Sequence, residues 1–179
     1  LKVRQVHSEG LWENMALAIK VARDLNINNK IILKALLKIR LLGRLQFIKK
    51  GKLRKLLYSK EDLLLDGCHS ETSIMNHIKF LKNINKPKYA IWSLMKNRYP
   101  EKYVKHLKCF KKVIAIKIPN EPNACSASLL KKIANKHNIQ CITAPNIISA
   151  IKALSSDRTK VISVIGSLYT VGKVLNLND

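Results

Sequence analysis

The sequence predicts an α/β protein with a Rossmann-like, mainly parallel sheet, helices on both faces of that sheet, and a pair of helices in front of it. From residue 63 onward, short apolar runs rich in β-branched residues alternate with segments of helical periodicity. Strands that alternate with helices form parallel sheets through right-handed crossovers. The first 42 residues contain two helical patterns instead. The stretch 161–172 is a buried strand that breaks at Gly166 and Ser167 and then continues as a helix.

Two helices are predicted at the front of the chain. Between Trp12 and Leu25, and again from about Lys30 to Ile39, apolar residues recur at the three- and four-residue spacing of an amphipathic helix. Asparagines at 26, 28 and 29 separate the two patterns, and Gly43 breaks the chain after the second.

A β-hairpin is predicted next. Two β-like runs, Leu45–Ile48 and Leu53–Tyr58, flank a lysine-rich turn around Gly51. Strand-like runs on either side of a short glycine-containing turn are typical of hairpins.

Five strand-then-helix units are predicted to follow. The proline at position 100 suits the first turn of a helix, where an amide hydrogen has no partner to lose. The carboxyl ends of such strands, where helices begin, are where ligands bind in open α/β sheets. The units are Leu63–Leu65 with Glu71–Leu81, Tyr89–Trp92 with Pro100–Phe110, Val113–Ile118 with Ala127–His137, Gln140–Thr143 with Ile147–Leu154, and Lys160–Ile165 with a final helix.

Length and composition favour one globular domain. The chain has 179 residues, 47% of them hydrophobic, which is enough apolar surface to offset the conformational entropy lost on folding. No apolar run is long enough to span a bilayer, and Glu9 and Glu13 interrupt what would be the apolar part of a signal peptide. We therefore expect a cytoplasmic protein with no membrane partner.

The net charge of +23 attracts polyanions in general. However, the 27 lysines far outnumber the 7 arginines and are scattered along the chain, and aromatic residues make up only 6%. Surfaces that read bases rely on arginine forks and aromatic stacking. The composition therefore argues against nucleic acid as a partner, although a basic, non-enzymatic protein that binds RNA or another polyanion stays open as the alternative function.

Familiar metal and phosphate motifs are missing from the sequence. The four cysteines, Cys68, Cys109, Cys125 and Cys141, form no C-x-x-C pair and no metal-like spacing with histidines, so we expect reduced thiols and no metal site. Neither G-x-x-x-x-G-K-[ST] nor G-x-G-x-x-G occurs.

Five blocks, in a common order and spacing, carry a family resemblance. They are Trp12–Ile19, Leu42–Gln46, Leu65–His69, Ile118–Ala124 and Gly166–Gly172. Together they resemble the C-terminal part of folylpolyglutamate synthase/dihydrofolate synthase, a branch of the Mur ligase superfamily. The resemblance implies that residues 1–42 are a helical segment from the end of a missing N-terminal ATPase domain, and that residues 43–179 form the Mur ligase-like C-terminal α/β domain.

The resemblance also implies a reaction. Enzymes of this family use ATP and Mg²⁺ to convert a carboxylate of folate or dihydropteroate into an acyl phosphate, which the amino group of L-glutamate then attacks. In the family, ATP and Mg²⁺ are held mainly by the N-terminal domain. A separately encoded N-terminal half is accordingly a possible partner of this chain.

Four residues correspond to positions of the family's motifs. Asn14 matches the asparagine of an E-N-A-A-like helix, Arg44 the arginine of a P-G-R block, and Asp66 the aspartate of D-G-A-H-N-P, so all three are implied to bind ATP. His69 lies in the last of these blocks as a possible catalytic residue, and the alternative that it only lines the site stays open. His7, His77, His106 and His137 are interpreted as ordinary packing or surface residues.

The chain departs from the family's motifs in several places. Ser70 and Glu71 replace the asparagine and proline that follow the histidine of D-G-A-H-N-P, and Leu42 replaces the proline before Gly43. Since phosphoryl transfer depends on positioning and charge stabilisation, we expect this chain alone to lack ligase activity. It is then a gene remnant, a half that needs a partner, or part of a longer enzyme.

Overall fold

A computed structural model of the chain describes residues 9–179. In this part of the chain, seven α-helices and one six-stranded sheet form the architecture. The strands are β1 (Gln46–Ile48), β2 (Glu61–Asp66), β3 (Lys88–Trp92), β4 (Lys112–Ala115), β5 (Cys141–Thr143) and β6 (Lys160–Ile165). The helices are α1 (Glu9–Asp24), α2 (Asn29–Lys38), α3 (Glu71–Lys82), α4 (Pro100–Val104), α5 (Ala127–Lys136), α6 (Ile147–Leu154) and α7 (Leu168–Asn178).

The sheet confirms the predicted α/β class. Its strand order is β1-β2-β6-β3-β4-β5, and every pair is parallel except β1 with β2. The last strand of the chain, β6, therefore lies between β2 and β3, in the middle of the sheet. All six of its residues are buried, which explains why four of them are Val or Ile.

Helices cover both faces of the sheet, as predicted. Alternate residues of each strand point to opposite faces, so Leu64 belongs to the core under α3, α4 and α5, whereas Leu63 and Leu65 belong to the core under α6 and α7. Each face is therefore closed by its own apolar layer.

The predicted hairpin is wrong. Leu53–Tyr58 is not a strand; it contains a 3₁₀ turn at Arg54–Leu56, and β1 pairs with β2 instead. The backbone and side-chain oxygens of Asn178, at the end of α7, accept the amide hydrogens of Lys52 and Leu53 at 2.9 and 3.1 Å. These amides therefore do not face a neighbouring strand. Leu53 and Leu57 are both buried four residues apart, which is a helical and not a strand-like spacing.

The predicted helix Pro100–Phe110 is broken in two. α4 ends at Val104, and a 3₁₀ helix continues over Lys105–Cys109. Pro100 occupies the first turn of α4, as its sequence position predicts.

A buried ion pair sets the register of β2 against β6. Glu61 lies opposite Lys160, with Oε1 and Nζ 3.3 Å apart, and both side chains are at most 5% exposed. The hydroxyl of Ser155 and the amide of Ser156 also donate to the Glu61 carboxylate. A shift of one residue would separate these two buried charges, which is costly.

The helix pair has a small core of its own. Leu36 is buried against Leu11, Met15, Ile19 and other partly buried residues of α1 and α2. The outer sides of both helices remain exposed, and Trp12 is 44% exposed. The pair is tied to the sheet domain by contacts between α1 and α3, among them an ion pair from Glu9 to Lys79.

Within residues 9–179, no helix is long and apolar enough to cross a membrane.

The turn at Gly43 connects the helix pair to the sheet. Its φ angle is +66°, and a Cβ atom built there would lie 2.4 Å from Cγ1 of Val171 in α7. Its carbonyl accepts the amide hydrogen of Gly67 at 2.8 Å, so the turn is also joined to the end of β2. Only glycine suits both the backbone conformation and the close approach.

Replacing Gly43 with Ala should lower the free energy of unfolding by about 1–3 kcal/mol, because the new methyl group meets Val171 in a strained conformation. Gly172→Ala is the matched control. Gly172 lies inside α7, and a Cβ atom there has open space, so this change should stabilise the protein by about 0.5–1 kcal/mol. Urea unfolding of the two variants measures both free energies of unfolding. If both variants were stabilised or both destabilised, the special role of glycine at position 43 would be contradicted.

Candidate functional site

The candidate site is a cavity of about 260 Å³ beside the carboxyl end of β2. Its walls come from α1, the segment around Arg44, the end of β2, and α3. The sequence-predicted residues Asn14, Arg44, Asp66 and His69 all line it. Four side chains from three parts of the chain therefore share one opening.

Asp66 is the last residue of β2 and is buried. Its Oδ2 atom lies 2.8 Å from Nδ1 of His77. The parallel pairing of β2 with β6 places Asp66 opposite Ile165, so the carboxylate lies at the edge where both strands end. That edge is where ligands bind in open α/β sheets.

His77 is a residue that sequence reasoning missed. The sequence alone predicts an ordinary residue here, whereas the structure buries it completely and places Asp66 on one side of its ring and Ser163 of β6 on the other. The sequence does contain a signal for its burial. Ile74, His77 and Leu81 are spaced as one apolar stripe of α3, and all three are buried.

Arg44 and Asn14 are more accessible than Asp66. Arg44 is half-buried directly after the Gly43 turn, while Asn14 is exposed on α1. The residue after Arg44, Leu45, has a φ angle of +45°, which is uncommon for a leucine, and the Gln46 side chain accepts the Gly43 amide hydrogen at 2.8 Å. These local constraints hold the backbone that carries the guanidinium.

His69 lies between two cavities. Its Nδ1 donates to the carbonyl of Gly67 at 2.9 Å, which leaves Nε2 as the acceptor of the neutral ring. It also lines a second cavity of about 110 Å³ with Arg98, Gly166 and Ser167, at the end of β6. The strand-to-helix turn at Gly166 therefore borders this smaller cavity and not the one that holds Arg44 and Asp66.

The other predicted ordinary histidines differ from His77. His106 and His137 pair with Glu71 and Glu101 near the surface, at 3.0 and 3.2 Å. His7 lies outside the described residues.

One group of side chains has the donor types that zinc accepts. The ligand atoms of Asp66, Cys68 and His77 lie within 4.8 Å of one another, and all three residues are buried. Burial raises the pKa of the Cys68 thiol well above its usual value, and the charge of Asp66 raises it further, so Cys68 is a neutral thiol here. Its sulfur lies 3.4 Å from the hydroxyl of Tyr103, and both ring nitrogens of His77 have protein partners.

The first turn of α3 fixes the loop that precedes it. Ser70 and Ser73 form a reciprocal capping box at the start of this helix. Glu71 pairs with Lys105 at 2.6 Å and with His106 at 3.0 Å. Hydrogen bonds from Lys105 and then His106 lower the pKa of Glu71 from 4.5 to about 2.

Solved structures share this architecture. The folylpolyglutamate synthase of Mycobacterium tuberculosis, complexed with ADP and AMPPCP, matches with a TM-score of 0.78 and 18% identity over 96% of this chain and 40% of that chain. The folylpolyglutamate synthase of Thermotoga maritima matches with a TM-score of 0.70 and 22% identity over 95% of this chain and 38% of that chain. E. coli FolC in complex with DHPP and ADP matches with 0.73 and 17%, over 90% and 37%.

The chain has the fold of the C-terminal domain of folylpolyglutamate synthase. The predicted resemblance is confirmed at the level of the fold. No family model matches the sequence, and no curated protein matches it either. The chain spans about 40% of the length of the folylpolyglutamate synthases that it resembles, and the shared fold does not by itself give it their activity.

Loss of the Glu71 ion pairs should make stability fall at low pH. Because the folded-state pKa lies near 2 and the unfolded value near 4.5, this contribution is complete above about pH 4.5 and disappears as the pH falls toward 2. Glu71→Gln should therefore unfold at a lower temperature than the parent at about pH 6. The difference between the two melting temperatures should shrink as the pH falls toward 2. Thermal melts followed by circular dichroism measure this difference in melting temperature. A difference that stays constant with pH would contradict this account.

Proposed function

We propose that this chain is the nucleotide-closing lobe of an ATP-dependent ligase that adds L-glutamate to folate or dihydropteroate through an acyl phosphate. The observation that carries the proposal is the convergence of Asn14, Arg44 and Asp66 on one cavity, within a fold shared with synthases that are complexed with ADP and AMPPCP. The carboxyl end of β2 places this cavity where α/β proteins bind nucleotides.

Each of the three side chains offers a different contact to ATP. The guanidinium of Arg44 supplies a fixed fork of donors for phosphate oxygens. The amide of Asn14 both donates and accepts, as an edge of the base or a ribose requires. The Asp66 carboxylate only accepts, so it suits the hydroxyl or amino hydrogens of the nucleoside. Together they favour a nucleotide over an isolated phosphate.

Magnesium fits this cavity poorly. Mg²⁺ prefers an octahedron of oxygen atoms, largely from water, phosphates and carboxylates. Of the two carboxylates that line the cavity, Asp66 already bonds His77 through Oδ2, and Glu13 is exposed on α1. The magnesium of the proposed reaction therefore belongs mainly to the N-terminal ATPase domain.

The helix pair is proposed to face that ATPase domain. In this assignment, residues 1–42 end the N-terminal domain and residues 43–179 form the C-terminal one. Four large apolar side chains on α1 and α2 are 46–64% exposed, namely Leu17, Val21, Leu33 and Leu37. Such a surface suits contact with another folded unit, supplied by a longer chain or by a separately encoded half.

ATP should bind to the chain as it stands, and Arg44→Ala should weaken this binding about tenfold or more, because a charge-assisted contact to phosphate is lost. Asp66→Asn should also weaken it. Arg158→Ala and Asp157→Asn are matched controls, since both residues are exposed and neither lines the cavity. Isothermal titration calorimetry measures the four dissociation constants.

Equal losses in the site variants and their controls would contradict the proposal and indicate nonspecific attraction to the net charge. Titration with salt adds a second criterion. If ATP binds only to the basic surface, its affinity should fall steeply with salt and RNA should displace it. If ATP binds to a specific nucleotide site, it should stay bound in the presence of RNA.

The chain alone should show no ligase activity, because its sequence contains no phosphate loop. Fused to the N-terminal part of a folylpolyglutamate synthase, it should support glutamate-dependent ADP release with folate or dihydropteroate. Asp66→Asn should reduce this rate relative to Asp157→Asn. A fusion that folds and binds ATP but forms no amide product would show that this lobe no longer serves the reaction.

A further inference from the structure

Three buried polar side chains form a line from the cavity into the sheet. Oδ2 of Asp66 lies 2.8 Å from Nδ1 of His77, and Nε2 of His77 lies 3.1 Å from Oγ of Ser163. The residues belong to β2, α3 and β6, and each is at most 5% exposed. Only Asp66 and His77 line the cavity, so Ser163 is the inner end of the line.

The chemistry of the three groups fixes where the hydrogens are. A carboxylate only accepts, so Nδ1 of His77 carries the hydrogen that bonds Asp66. In the neutral ring Nε2 is then an acceptor, and the Ser163 hydroxyl donates to it. Both ring nitrogens of His77 therefore have protein partners. Because the sheet holds Ser163 and the apolar stripe of α3 holds the ring, the line is rigid.

We propose that His77 is a positioning residue for nucleotide binding: it holds Oδ2 of Asp66 and leaves the other carboxylate oxygen for the nucleotide. This inference rests on the proposed function, since it assumes that Asp66 contacts ATP. An acceptor that is already fixed binds without the entropic cost of ordering a side chain. Ser163 acts one step further away, because its hydroxyl bonds Nε2 and helps to hold the ring in the orientation that bonds Asp66.

The two amide replacements of histidine separate this role from simple packing. The amide nitrogen of asparagine occupies the place of Nδ1, whereas that of glutamine reaches the place of Nε2. His77→Asn can therefore still donate to Asp66, and His77→Gln cannot. We expect His77→Gln to raise the dissociation constant for ATP about tenfold, and His77→Asn to retain most of the affinity. His137→Asn, at a surface ion pair, is the control and should change nothing.

A double-mutant cycle tests whether His77 acts through Asp66. If it does, His77→Gln should have little further effect once Asp66 is Asn, because the group being positioned is already altered. A packing role would add the same loss in both backgrounds. Thermal melts show whether each variant is folded, and if His77→Gln is not, Ser163→Ala takes its place in the cycle.

The ring tautomer gives an independent readout. Nitrogen-15 NMR of the histidine rings should show a hydrogen on Nδ1 of His77 in the parent protein. A ring protonated only on Nε2, or a metal ion bound through Nδ1 in the purified chain, would overturn the proposal. The proposal would also be overturned if His77→Gln and His77→Asn bound ATP as tightly as the parent while Asp66→Asn bound it weakly. That result would leave the proposed function intact. Absence of ATP binding by the parent would end both.

Discussion

The parallel pairing of β2 with β6 is the constraint on which the candidate site depends. Buried charges at Glu61 and Lys160 set the register at one end of the pair, and five residues later the same register places Asp66 opposite Ile165 at the other end. Asp66 of β2 and Ser163 of β6 can then both form hydrogen bonds with the ring of His77 on α3. A slip of one residue would turn Asp66 toward the opposite core and break that contact.

The parts of the fold that could be predicted from sequence are those specified by local patterns. Buried strands are dominated by apolar residues, and α3, α5 and α6 show apolar stripes, so the sequence indicates the alternation of strands and helices. The hairpin prediction failed because Leu53–Tyr58 looks β-like in composition, while the amides of Lys52 and Leu53 bond to Asn178, more than a hundred residues away. Such distant partners leave no trace in a local window.

Local patterns in the sequence do not predict the candidate site as they predict the strands and helices. Asn14, Arg44 and Asp66 came from the family resemblance, since an exposed asparagine, an arginine after glycine and an aspartate after a strand are each common without any function. His77 could be placed in a buried stripe, but its two hydrogen bonds depend on how α3 crosses the sheet. Structures at 17–22% identity share the fold, which agrees with the general tolerance of protein cores to substitutions that keep their volume and patterning.

The hydrogen bond between the Gly43 carbonyl and the Gly67 amide has a mechanical consequence. It joins the backbone beside Arg44 to the backbone beside Asp66, in a place where the carbonyl cannot rotate away without disturbing the tight fit against Val171. The cationic and anionic sides of the cavity are thereby coupled into one stiff frame. Arg44 and Asp66 each lie one residue from this bond, so the bond limits how far the two walls of the cavity can separate.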